Sequence, residues 1–197
     1  MNKPLLADLA PENLVARLDA LFAVIVRESY LGEDVTIGDH MLQCAALATA
    51  EGAPDALVAA ALLHDVGYYL DPAPDNENET RPAKRHDVAA GRVLAAFLPE
   101  AAVAPIRLHV DAKRYLCAVD PSYRARLSPA SIHTMALQGG IMGAEEAAAF
   151  AARPFSGDAC RLRRWDDAGK AVDAVVPGFA SYRPLLERLV ERRLAGG

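Results

Sequence analysis

Four of the five histidines and two aspartates recur along the chain as His40, His64-Asp65, His86, His109 and Asp166. Imidazole nitrogens and carboxylate oxygens together suit iron, manganese, nickel and zinc, with geometry and supply choosing among them. Six donors are enough for two ions, so the pattern predicts a dinuclear metal centre. A His-Asp dipeptide alone carries little weight, because such pairs arise by chance and a buried His bonded to an Asp can be plain structure. Here, however, His64-Asp65 ends the apolar run from Ala56 to Leu63, where an ionised carboxylate is costly unless paired or metal-bound. Adjacent helical residues point about 100° apart, so His64 can reach one ion while the two oxygens of Asp65 bridge a pair.

The elements that must carry these donors read as helices. Pro11 suits a first helical turn, and Leu14, Leu18, Leu21, Phe22 and Ile25 form a core-facing stripe up to about Ser29. Gly32 breaks this helix, Thr36 can cap the next, and His40, Cys44 and Leu47 share a face until Gly52. Pro54-Asp55 opens a third helix that ends near Gly67, with His64 and Asp65 in its last turn. The stretch 71–85 is too polar and proline-broken to pack; loops of this length are uncommon unless mobile or functional, so it is a lid or a surface insertion. His86 opens a fourth helix ending before Pro99. A fifth, from about Ala101 to Leu116, puts His109 and Lys113 on one face. A short helix around Ser131 to Leu137, a stop at Gly139-Gly140, an Ala-rich run from Glu145 and a closing helix from Ser181 to Leu194 follow, while Trp165 to Lys170 reads as a turn. Unless Lys113 is an ordinary exposed lysine, its ammonium beside two divalent ions makes the pocket attract a small oxyanion such as phosphate or phosphonate.

With 197 residues and no composition break, the chain reads as one domain, 1–197. Its 52% apolar content is rich in Ala and Leu and poor in aromatics, which predicts an all-α helical bundle with the metal site in the core. A net charge of -5 argues against a nucleic-acid or anionic-membrane surface, and the basic run Arg161-Leu162-Arg163-Arg164 reads as a solvated face. Three separated cysteines, Cys44, Cys117 and Cys160, indicate reduced, semi-buried thiols. No apolar run approaches spanning length, so a cytoplasmic protein is expected. Nothing in the sequence signals an oligomeric state.

The order His, His-Asp, His, His, Asp on successive helices resembles the HD-domain superfamily in its two-metal variant. Tyr30-Leu31-Gly32-Glu33, Gln43-Cys44-Ala45, His109-Val110-Asp111-Ala112-Lys113-Arg114-Tyr115-Leu116, Gln138-Gly139-Gly140-Ile141-Met142 and Trp165-Asp166 are similar to the phosphonate oxygenases of the PhnZ and TmpB type. The resemblance runs from about Tyr30 to Tyr182. It implies two iron ions, Fe(II)/Fe(III), that use O2 as co-substrate to cleave the carbon-phosphorus bond of a small-molecule 1-hydroxyphosphonate. In that scheme His40, His64 and Asp166 hold one iron, Asp65 bridges, and His86 and His109 hold the other. Tyr30 is implied to occupy the vacant iron position until substrate arrives, with Glu33 as its partner and a candidate for a cationic nitrogen. Lys113 and Ser131 are implied to bind phosphonate oxygens, with Thr134 and Gln138 as further candidates. For Ser131 and Thr134, hydrogen bonds within a helix are the plain alternative. His133 matches no ligand and is expected to be structural.

One departure bears on substrate. Where aminophosphonate-cleaving relatives continue the His-Asp motif to a further histidine, this chain has Tyr68. A tyrosine face near Glu33 suits an N-methylated ammonium, worth about 0.5 to 2 kcal/mol, unless Tyr68 merely packs. The expected substrate is therefore 1-hydroxy-2-aminoethylphosphonate or its N-trimethyl analogue, giving glycine or glycine betaine plus phosphate. The competing expectation is a metal-dependent HD phosphohydrolase acting on a small phosphate ester, in which the metal activates water. A non-catalytic sensor of phosphorylated ligands is a third, without an effector segment to support it.

Overall fold

The computed structural model describes residues 6, 8–30, 33–70 and 85–196. Its helices are α1 (Leu14–Ile25), α2 (Ile37–Ala50), α3 (Asp55–Leu63), α4 (His86–Leu94), α5 (Glu100–Val119), α6 (Pro121–Arg124), α7 (Pro129–Leu137), α8 (Ala144–Ala151), α9 (Ser156–Ala168) and α10 (Arg183–Ala195), with short 3-10 turns at Val66–Tyr69 and Phe179–Tyr182. Among the described residues there is no strand, only an isolated bridge between Ser29 and Thr36. The all-α expectation holds. No described helix is long and apolar enough to cross a membrane. The 71–85 loop, read as a lid or a surface insertion, lies, except for its last residue, outside the described residues, as do Leu31 and Gly32.

Helix α3 is the hub. Leu57 to Leu63 are all buried, a helix apolar on every side and therefore enclosed on every side. It packs against α2, α5, α9 and α10. Helix α5 borders α9, α3 and α4 along its length, while α1 and α10 close the far end, where the rings of Phe22 and Phe179 meet at a tilt of 31° with centroids 4.7 Å apart. Each fully buried leucine, such as Leu62 or Leu63, contributes about 1.5 to 3 kcal/mol. Helix α7 differs: it packs chiefly on α5, and Ile132, His133 and Leu137 along it are exposed. His133 is thus a surface residue.

Local chemistry sets the entry and exit points that matter to the site. Thr36 caps α2 by accepting from the Asp39 amide at 3.0 Å, which fixes the turn that presents His40. Gly67 in the first 3-10 turn lies against the start of α4: a Cβ there would stand 1.9 Å from the His86 carbonyl oxygen. Gly169, just past α9, is pressed against Cys44, whose sulfur would be 2.6 Å from a Cβ.

Two expectations are corrected. Trp165 and Asp166 do not sit in a turn; α9 runs through them to Ala168, because burial of Ala159, Leu162 and Trp165 on α2, α3 and α5 outweighs the polar local sequence. The run Arg161 to Arg164 is not a uniformly solvated face either. Helical spacing turns Arg161 and Arg164 outward, while Leu162 and Arg163 face in.

Candidate metal centre and adjoining pocket

Six side chains converge: His40 from α2, His64 and Asp65 from the two residues just past α3, which ends at Leu63 and so before the expected last turn, His86 from the first residue of α4, His109 from α5 and Asp166 from the last turn of α9. None is more than 5% exposed. Asp65 stands at the middle. Its Oδ2 lies 3.5 Å from His64 Nε2 and 3.9 Å from His40 Nε2, and its Oδ1 lies 3.1 Å from His86 Nε2 and 3.9 Å from His109 Nε2. Each oxygen therefore serves a different histidine pair. Asp166 completes the first pair, 3.4 Å from His40 and 4.0 Å from His64.

The ring orientations test whether cations fit. His40 Nδ1 donates to the Gly169 carbonyl at 2.9 Å, and His64 Nδ1 donates to the Ala61 carbonyl at 2.9 Å. Their Nε2 atoms then face each other at 3.2 Å. His109 Nδ1 likewise donates to the Ile106 carbonyl at 2.7 Å, with its Nε2 3.1 Å from that of His86. Fixing Nδ1–H on a main-chain carbonyl is the usual way to aim an Nε2 lone pair at a metal. Converging lone pairs and carboxylate oxygens at this spacing need positive charge between them, so the donor set fits two cations.

Electrostatics agree. Burial depresses the pKa of His64, and burial with the neighbouring imidazoles lowers that of His109 to about 3. Burial opposes ionisation of Asp65 and Asp166, yet His64 and His86 hold the first carboxyl far below its usual range and Arg163 with His40 the second. His40 moves up: burial disfavours its cation, but Cys44 and Asp166 outweigh this. Cys44 is near enough to be considered a donor with His40 and His64. Its thiol, however, donates to the Trp165 carbonyl at 3.4 Å and burial raises its pKa, which leaves it a poor thiolate. Cys117 and Cys160 are also free thiols.

A pocket opens beside Asp65. One wall is cationic. Lys113 is 3% exposed and donates to Thr134 Oγ1 at 2.9 Å; burial, then the nearby Arg163, lowers its pKa to about 8. It is no ordinary surface lysine. Arg163 donates to Asp166 Oδ2 at 2.7 Å, to Ser131 Oγ at 3.3 Å and to Asp167. Thr134 Oγ1 also donates locally to the Ser131 carbonyl at 3.2 Å, whereas Ser131 bonds locally through its backbone amide, which donates to Ser128 Oγ at 3.2 Å. Gln138 places a buried Oε1 there with no protein partner, an orphaned group of the kind a ligand satisfies. The facing wall carries Tyr30, which stacks on His40 (4.4 Å, 15°) and donates to Asp65 Oδ2 at 3.0 Å, and Tyr68, which stacks on His86 (4.2 Å, 16°). Glu33 meets Tyr30 only through its backbone amide; its carboxylate binds Lys170 and Ser128.

Sequence reasoning passed over Arg163 and Lys170. The signal for Arg163 was its acidic partners Asp166 and Asp167 at helical spacings of three and four; Lys170, one residue beyond α9, gave none.

Among known proteins, the HD domain family matches residues 37–130. The chain is 38% identical over 194 residues, covering 98% of itself and 99% of the relative, to the [1-hydroxy-2-(trimethylamino)ethyl]phosphonate dioxygenase (glycine-betaine-forming) of Leisingera caerulea. It is 40% identical over 165 residues, 83% of itself and 82% of the relative, to the hydroxymethylphosphonate dioxygenase of Gimesia maris. By sequence, by its helical fold and by the geometry of its buried His and Asp residues, the chain belongs to the HD-domain family, in the group that includes these phosphonate dioxygenases.

Proposed function

We propose that the protein is a dioxygenase of 1-hydroxyphosphonates, holding two iron ions as an Fe(II)/Fe(III) pair. His40, His64 and Asp166 would bind one iron, His86 and His109 the other, with Asp65 bridging. The observation that carries this reading is Asp65, whose two oxygens face separate histidine pairs at the floor of a pocket walled by Lys113 and Arg163. The iron pair would supply the redox chemistry that joins substrate oxidation to O2 reduction. In balance, a 1-hydroxyphosphonate and O2 give a carboxylic acid and phosphate: the C–P and one C–H bond are lost, the carbon is oxidised, and both oxygen atoms are reduced into the products.

The chain's own groups do the rest. Lys113 and Arg163, with Ser131, Thr134 and Gln138, hold the phosphonate and neutralise its charge. Tyr30 holds Asp65 through its hydroxyl and yields when substrate enters. Glu33, Tyr30 and Tyr68 border the carbon-2 substituent. Buried Nδ1–carbonyl bonds keep the imidazoles of His40, His64 and His109 in place while charge changes nearby. The substrates proposed are 1-hydroxy-2-aminoethylphosphonate and its N-trimethyl analogue, forming glycine and glycine betaine.

The test is O2 uptake and phosphate release by iron-loaded protein given these two compounds and hydroxymethylphosphonate. One O2 consumed per phosphate supports the reading and ranks the substrates. Phosphate released from small esters under nitrogen, with no O2 uptake on any phosphonate, would establish a phosphohydrolase instead.

A further inference from the structure

The wall facing Lys113 and Arg163 contains a second ion pair. Lys170 Nζ donates to Glu33 Oε1 at 2.6 Å and lies 3.5 Å from Ser128 Oγ, which itself donates to Glu33 Oε1 at 2.8 Å. The same ammonium stands 5.7 Å from the centroid of the Tyr30 ring. Both charged side chains line the pocket and are largely withdrawn from water, at 14% and 16% exposure. A carboxylate beside an aromatic face is the chemistry that recognises an ammonium, and here an ammonium from the chain already occupies it.

We propose that Lys170 is a specificity-determining residue: an internal cation that fills the Glu33–Tyr30 subsite and sets how strongly the pocket prefers hydroxyphosphonates with a cationic carbon-2 substituent over uncharged ones. This inference rests on the phosphonate reading above. A cationic head entering the subsite must displace Lys170 or share Glu33 with it against like-charge repulsion, whereas an uncharged substituent leaves the pair intact. A primary ammonium can replace the hydrogen bond that Lys170 gives Glu33. A quaternary ammonium has no N–H, so Lys170 discriminates against it most. Removing the lysine charge frees Glu33 and tilts the pocket toward cations.

The test uses binding without turnover. Anaerobic calorimetric titration of iron-loaded protein with 2-(trimethylammonio)ethylphosphonate and with ethylphosphonate compares two probes that share the phosphonate and differ in the charge of the head. Lys170→Met should shift the ratio of their dissociation constants about tenfold toward the cationic probe. Lys170→Arg should keep the wild-type ratio, and Glu33→Gln should move it the other way. Lys170→Gln reads the same ratio if the Met variant does not fold. An unchanged ratio, or equal loss of both probes, overturns the role of Lys170. Failure of the wild-type protein to bind either probe would instead overturn the phosphonate reading beneath it.

Discussion

Lys113 exposes a conflict between stability and binding that can be measured. Its ammonium is 3% exposed, and burial with the neighbouring Arg163 lowers its pKa from 10.5 to about 8. At 1.36 kcal/mol per pH unit, that difference corresponds to a penalty of about 3 kcal/mol on the folded state at pH 7. The sign follows from linkage. Between about pH 8 and 10.5 the unfolded chain binds the proton more tightly, so stability rises with pH, and the penalty is complete only below about 8. Lys113→Met keeps the length and the apolar stem while removing the charge, and Thr134 retains its bond to the Ser131 carbonyl. The variant should therefore be more stable than wild type by up to about 3 kcal/mol at pH 7, falling to about 1.4 kcal/mol at pH 9.5, while losing most phosphonate affinity. Urea unfolding of both proteins at the two pH values, paired with phosphonate titration, checks this. A variant no more stable than wild type at pH 7, or an advantage that does not shrink at pH 9.5, would refute the reasoning.

Three further outcomes are expected. For hydroxyphosphonate turnover, kcat/KM should fall above about pH 8 by roughly tenfold per unit as Lys113 loses its proton, and Lys113→Arg should move the break to higher pH; a flat profile from pH 7 to 9.5 would contradict it. Arg163→Met leaves the buried Asp166 and the half-buried Asp167 without its guanidinium and should cost about 3 to 5 kcal/mol, read as a lowered melting temperature together with weaker phosphate binding. Gly67→Ala drives a Cβ into the His86 carbonyl; it should cost about 1 to 3 kcal/mol and reduce iron on the purified protein from about two to about one per chain, as measured by metal analysis.

The candidate centre was legible because its donors are chemically unusual where they occur. A carboxylate closing an eight-residue apolar run has few uses besides metal or ion pairing, so His64-Asp65 announced itself, and His40 and His109 fell on predicted helices. Arg163 was hidden by its neighbours: four positions with three arginines look like a wet face until helix packing decides that one of them points in. Trp165 and Asp166 were misplaced for a related reason. Their local sequence is polar and ends in glycine, and only the burial of Leu162 and Trp165 on distant elements keeps α9 helical to Ala168. The pair between Glu33 and Lys170 spans 137 positions, a closure that no local pattern encodes.

Helix α7 packs chiefly on α5, yet it supplies Ser131 and Thr134, with Gln138 just beyond it, to the pocket, whereas the His and Asp donors come from α2, α4, α5, α9 and the end of the enclosed α3. The metal side is therefore welded to the core, and one side of the recognition wall is bolted on. Apart from Ser131, which touches the Arg163 that holds Asp166, substitutions in α7 can drift without disturbing the donors, since few core side chains depend on it. An architecture of this kind lets the recognition wall change while the donor set is inherited unchanged, and grafting α7 between relatives becomes a practical route to new selectivity.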